Sequence, residues 1–232
     1  MKNKSVTAII LSAGTSLRLL GDVTKQLLKI DGVSVVRRTA TAFAMADTIT
    51  DIIVVARGAE IEDVTREVSN IPKIKAVIPG GACRAESARI GFDAVKDNSD
   101  FVAIHDGARC LVTPDIIDSV VSSAIKYGAA SAGTPVTDTV KKKDANLTVI
   151  GTVDRDELYF TTTPQVFSTD LYKRATDAYK GELGLITDDN MLLEAIGVKI
   201  KLVNCGKENI KITTAEDVDY AEFLLKKRNS NA

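Results

Sequence analysis

"VTAIILSAGTSLRL", residues 6–19, joins a strand-length apolar run to a loop of small residues carrying one charge. An apolar run of this length, closed by turn-forming residues, is the pattern of a strand buried on both faces, as in a parallel sheet covered by helices. The first fourteen residues, "MKNKSVTAIILSAG", imitate a secretory signal, with two lysines, an apolar run and small residues. That run is short, however, and Arg18 follows it with no clear cleavage site, so a buried first strand is the better reading.

Working outward, the same alternation recurs. Val35, Thr39, Ala42, Phe43 and Ala46 repeat at helical spacing, followed by a β-rich run at 49–56 and a helical stretch at 60–69. A short strand is expected at 74–78. Pro79, Gly80 and Gly81 then break the chain before a helix whose face carries Ala85, Ala88, Phe92 and Val95. Residues 101–105, "FVAIH", read as a fourth strand, and 114–127 as a helix with Pro114 in its first turn. Four strand–helix alternations predict an α/β fold, a three-layer sandwich around a mostly parallel sheet, with ligands beyond the carboxyl ends of the strands.

The rhythm breaks at 134–154, where two β-prone stretches flank a polar "KDAN" turn. An isolated hairpin is marginal in water. The chain therefore reads as one domain, 1–232, with 134–155 as an inserted β-arm that packs on something else, such as a second subunit. Helices are expected near 168–179 and 187–196, a strand at 199–203, and a last helix capped by Thr214 with Asp217 at N3. Val218, Ala221, Phe223, Leu224 and Leu225 form its apolar side.

A formal charge of −1 argues against nucleic acid or an acidic membrane surface as partner, since both require a basic excess. No apolar stretch approaches the roughly 20 residues that cross a bilayer. Cys83, Cys110 and Cys205 are isolated and His105 is the single histidine, a pattern of reduced thiols in a cytoplasmic protein rather than of a zinc site.

The first loop fits neither common phosphate template. A Walker loop places its lysine after a second glycine, but here the lysine comes at Lys25 and Gln26 follows it. The dinucleotide fingerprint fails at Ser16 and Leu19, and Arg57 stands where an acid would take a ribose. What remains is a turn of small residues, Ser12, Ala13 and Gly14, with two cations downstream, Arg18 and Lys25. Backbone amides, a guanidinium and an ammonium are the parts that phosphoryl-transfer chemistry requires.

With "KQLLKI" at 25–30, the loop resembles the signature of sugar- and polyol-phosphate nucleotidyltransferases, which have a Rossmann-like fold. "HDGAR" at 105–109 resembles that family's acidic motif. "TVDR" at 152–155, "TPQVF" at 163–167, "ITDD" at 186–189 and "NIKIT" at 209–213 narrow the resemblance to the 2-C-methyl-D-erythritol 4-phosphate cytidylyltransferase family. Ribitol 5-phosphate cytidylyltransferase shares the first loop, the "HD" motif and "NIKIT", but "TVDRDEL" favours the former. A nucleotide-binding regulatory protein without catalysis is the alternative from another class.

The resemblance implies that Ala13 and Gly14 hold the phosphates of CTP, while Arg18 and Lys25 stabilise charge on the α-phosphate. Gly81, Ala82 and Ser87 would hold cytosine and ribose. Arg84 and Glu86 read equally as a helix-start ion pair or as ligand contacts. Asp106 would face a magnesium–triphosphate, with most metal ligands coming from phosphate and water. Arg155 and Lys211 would position the polyol phosphate, and Arg109, Thr139 and Thr163 would line its pocket. The arm carrying Thr139 and Arg155 would cross a two-fold homodimer. His105 is not needed as a base, because the nucleophile is already an anion. The chain departs from the family pattern at Ser16, Thr24, Ala82 and Cys110.

Overall fold

The computed structural model describes residues 4–14 and 24–230. The expected positions Ser16 and Arg18 lie outside the described residues. The opening run forms β1 (Val6–Ser12), buried along its whole length. A two-residue pair, β2 (Lys29–Ile30) and β3 (Val33–Ser34), leads into α1 (Val35–Met45), where Ser34 Oγ caps the helix by accepting from the Arg37 amide. β4 (Asp51–Ala56), α2 (Ile61–Val68), β5 (Ile74–Pro79), α3 (Arg84–Asp93), β6 (Phe101–Asp106) and α4 (Pro114–Tyr127) complete the alternation expected from the sequence.

The second half adds β7 (Ala129–Pro135), the hairpin β8 (Val140–Lys143) and β9 (Val149–Val153), and β10 (Tyr159–Ser168). α5 (Thr169–Ala178), α6 (Asn190–Ala195), β11 (Lys201–Asn204) and α7 (Ala215–Ser230) follow. Among the described residues seven strands form one sheet in the order β11-β7-β10-β6-β1-β4-β5. β10 runs antiparallel to β6 and β7, and the other pairings are parallel.

Period-two alternation divides the core. Val6, Ala8 and Ile10 face α1, α2 and α4, while Ile9 and Leu11 face α3, α5 and α6. These are the three layers predicted. α7 instead packs Val218, Ala221, Leu224 and Leu225 over Ile30, Leu111 and Ile212. Phe223 points outward, 59% exposed and stacked on Tyr220, so it does not belong to the apolar side expected of it.

The hairpin exists, but Thr134 and Pro135, expected to open it, end β7 in the main sheet. Its turn is closed by Asp144, whose carboxylate accepts from the amides of Asn146 and Thr148, both at 2.9 Å. Leu147, Val149 and Ile150 on the hairpin are each more than half exposed. α6 starts three residues later than expected. Asp189 donates its backbone N–H to Gln165 Oε1 at 2.9 Å, and the Asp188 carboxylate accepts from Gln165 and Asn190, holding this segment out of the helix.

Candidate active site

β1 and β6 lie side by side with Leu11 opposite Asp106, so both strands deliver their carboxyl ends to one place. The turns leaving them approach closely. A Cβ at Gly107 would collide with Ser12 Oγ and lie 2.9 Å from the carbonyl oxygen of Leu11. One at Gly80 would collide with the Cβ of Ala13 and lie 2.8 Å from Ser87 Oγ. Glycine at these two positions brings three loops around a single pocket.

Ala13, Gly14, Lys25, Gly81, Ala82, Ser87, Asp106 and Lys211 all line it, which unites eight of the expected residues. The "NIKIT" segment reaches the pocket because Ile212, fully buried, donates its amide to the Ala108 carbonyl at 2.9 Å, while Lys211 beside it faces Asp106. Asn209 anchors the same segment, donating from Nδ2 to the Thr163 carbonyl at 2.8 Å.

Asp106 is the electrostatic centre. Oδ1 accepts from Arg84 Nε at 3.0 Å, and Oδ2 lies 3.0 Å from Lys211 Nζ and 3.6 Å from Arg109 Nε. Burial opposes its charge, yet Arg84, Lys211 and Arg109 outweigh burial and hold the carboxyl well below the usual carboxylate range. Lys25, only 6% exposed, has its pKa lowered by burial and then by the neighbouring charge of Lys211. Among the described residues four cations, Lys25, Arg84, Arg109 and Lys211, thus meet three carboxylates, Asp106, Asp189 and Asp217. The positive excess of a pocket built this way fits an anionic ligand.

Arg84 and Glu86 do not pair with each other. Arg84 bridges Asp106 and Asp189, while Glu86 Oε2 accepts from the Ala82 amide at 2.7 Å and ties down the turn before α3. Asp189 closes the "ITDD" motif but carried no expected role, and its contact with Arg84 spans 105 positions in the chain.

Thr163 does not line the pocket as expected. It is 3% exposed, and its hydroxyl accepts from the Asp106 amide at 3.0 Å and lies 3.0 Å from His105 Nδ1, beneath the pocket floor. Arg109 stands beside Asp106 and donates to the Asn209 carbonyl at 3.0 Å. Thr139 and Arg155 sit on the exposed arm and do not line the pocket of their own chain. Arg155 donates to the Thr137 carbonyl at 2.6 Å and lies 4.0 Å from Asp156. Among the described residues no three His, Cys, Asp or Glu side chains converge as a metal cage.

His105 is fully buried, tilted against Phe43 at 4.8 Å between ring centroids. Nε2 lies 3.3 Å from the Arg109 carbonyl, so it carries the proton, and Nδ1 accepts from Thr163. Burial lowers its pKa from 6.5 to about 3. The folded protein therefore keeps His105 neutral where the unfolded chain protonates it. Stability is full above pH 6.5 and falls as pH drops from there toward about 3. As the chain's single histidine, it should account for a loss of about 2 kcal/mol between pH 6.5 and about pH 5 in urea unfolding. His105→Gln should flatten that slope, and an unchanged slope would contradict the assignment.

Comparison with known proteins places this geometry. The family model described as 2-C-methyl-D-erythritol 4-phosphate cytidylyltransferase matches residues 6–227. The enzyme of that name from Alkaliphilus oremlandii is 38% identical over 232 residues, covering 98% of each chain. That of Caldanaerobacter subterraneus subsp. tengcongensis is 39% identical over 226 residues, 96% of this chain and 100% of the relative. The crystal structure of 4-diphosphocytidyl-2C-methyl-D-erythritol synthase from Anaerococcus prevotii superposes with a TM-score of 0.84 at 29% identity, over 97% of both chains. The chain belongs to the 2-C-methyl-D-erythritol 4-phosphate cytidylyltransferase family.

Proposed function

We propose that the chain is a cytidylyltransferase that moves the cytidylyl group of CTP to 2-C-methyl-D-erythritol 4-phosphate. The products are 4-diphosphocytidyl-2-C-methyl-D-erythritol and pyrophosphate, a step of non-mevalonate isoprenoid biosynthesis. The observation that carries this is the cationic pocket at the ends of β1 and β6, in a chain whose full-length relatives bear that enzyme's name.

A phosphate oxygen of the acceptor attacks the α-phosphorus in line, and the bond to the β-phosphate bridging oxygen breaks as pyrophosphate leaves. The chain's task is placement and charge stabilisation. The Ala13 and Gly14 backbone receives the phosphates, and Arg18 and Lys25 stabilise the charge that grows around the α-phosphate. Gly81, Ala82 and Ser87 hold the base and ribose. Lys211 and Arg109 draw the acceptor phosphate toward the same point, and Arg155 and Thr139 of the arm complete its pocket from the second subunit of a homodimer. No proton must be removed, which agrees with a neutral His105 enclosed beneath the floor.

A divalent cation, magnesium by its preference for oxygen, would neutralise the triphosphate when bound. The donor set suits an ion that arrives with its phosphates. Among the described residues Asp106 is the one carboxylate lining the pocket, and its Oδ2 is shared with a mobile-stemmed lysine rather than with other acids. Nucleic acid and membrane have no place in this reading, and no helix among the described residues is long and apolar enough to cross a membrane.

Pyrophosphate release with magnesium, four nucleoside triphosphates and a panel of polyol phosphates tests the proposal. Turnover confined to CTP and methylerythritol phosphate is the expected result. A preference for ribitol 5-phosphate would redirect the acceptor assignment, and CTP binding without turnover on any acceptor would favour a regulatory role.

A further inference from the structure

A chain of alternating charges runs from α5 to the pocket. Tyr172, 1% exposed and stacked on Phe167 at 5.6 Å, donates its hydroxyl to Asp189 Oδ1 at 2.7 Å. Asp189 is fully buried, and its Oδ2 accepts from Arg84 Nη1 at 2.7 Å. Arg84 Nε passes the contact on to Asp106 Oδ1, and Asp106 Oδ2 meets Lys211 Nζ. No atom of Asp189 or Tyr172 lines the pocket.

The arrangement restrains Arg84. A guanidinium facing one carboxylate favours a two-toothed pairing through parallel N–H groups. Arg84 does not take it with Asp106: Nε alone donates there, Nη1 is turned to Asp189, and Nη2 is buried with no hydrogen-bond partner among the described residues. Asp189 therefore pulls the guanidinium sideways and leaves Asp106 Oδ2 to Lys211, at 3.0 Å, and to the more distant Arg109. A fully buried carboxylate is a costly way to stabilise a fold, since packed apolar groups serve as well. Its value here lies in orientation.

We propose that Asp189 is a positioning residue for the transfer reaction, acting through Arg84 and Asp106 to keep Lys211 at the acceptor side of the pocket. The inference rests on the cytidylyltransferase reading above. Without the Asp189 charge, Arg84 swings onto both oxygens of Asp106 and displaces Lys211, which then no longer orients the acceptor phosphate.

The test is a double-mutant cycle of wild type, D189N, K211A and the double variant, followed by pyrophosphate release at enzyme concentrations high enough to register the slow K211A reaction. D189N should lower kcat about 30-fold when Lys211 is present and less than about 3-fold in the K211A background. A structural role alone would lower activity equally in both backgrounds, and that result overturns the proposal. Should D189N not accumulate as folded protein, Tyr172→Phe removes a single hydroxyl from the same chain. Its loss of about 3-fold should vanish in the K211A background, and an equal loss in both backgrounds is again the overturning result. Failure of the underlying reading is separate, because wild type would then show no turnover of CTP with methylerythritol phosphate.

Discussion

Lys25→Ala is expected to lower kcat roughly 100- to 1,000-fold with no loss of folded protein, the scale found when a preorganised charge donor is removed from an active site. The two halves of that expectation have one cause. Lys25 is nearly enclosed, and its pKa is lowered by burial and by Lys211, with Asp106 and Asp217 pulling the other way. Because its pKa is lowered on folding, the charged form of Lys25 is less favourable in the native state than in the unfolded chain, and keeping Lys25 charged opposes folding. The same positive charge becomes favourable once a triphosphate occupies the pocket. Alanine thus removes an unfavourable charge from the free protein and a stabilising one from the transition state. Thermal unfolding should show an unchanged or higher Tm beside the collapse in pyrophosphate release. Near-normal release would refute the role assigned to Lys25. A large drop in Tm would instead mark the residue as structural.

Lys25 was legible because its chemistry is local: a small-residue turn, two cations and a strand in front of them are contiguous in the chain. The same holds for β1, β4 and β6, whose apolar runs read directly as buried strands, and for β5, a short strand that forms the half-exposed edge of the sheet. β7 could not be read that way. Its residues "AASAGTP" are small and carry little β-propensity, because the strand is sandwiched between β10 and β11, where Phe160 and Tyr159 crowd Gly133. Nor does any spacing announce that β10 runs against its neighbours.

Within the site, motifs marked Asp106 and Lys211, but the choice of partners is a tertiary matter. Arg84 reads as the start of a helix, and only folding sets it between carboxylates from β6 and from the segment before α6. Thr163 was expected at the acceptor through the family resemblance of its "TPQVF" motif. Its motif lies at the right edge of the sheet, yet its hydroxyl turns inward to the Asp106 amide and His105. A motif locates a residue near a site without saying which way its side chain points.

Mixing inactive Lys25→Ala and Arg155→Ala chains should restore activity, and this follows from where the two residues sit. Lys25 lines the pocket of its own chain, whereas Arg155 stands 53% exposed on the arm and takes no part in that pocket. The arm's exposed Leu147, Val149 and Ile150, with Phe160 beside it, are apolar groups that its own chain leaves uncovered. If each arm completes the neighbour's pocket across a two-fold axis, every active site draws Lys25 from one subunit and Arg155 from the other. Each variant alone then has two defective sites. A mixed dimer concentrates both defects in one site and leaves the second with its full set. With random exchange half the dimers are mixed, and one site in each works, so about a quarter of the wild-type rate should return. Should Arg155 serve the pocket of its own chain, every site keeps one defect and mixing returns nothing. The assay therefore separates a shared site from a self-contained one without reference to how tightly the dimer holds, provided the chains are exchanged by reversible unfolding before measurement.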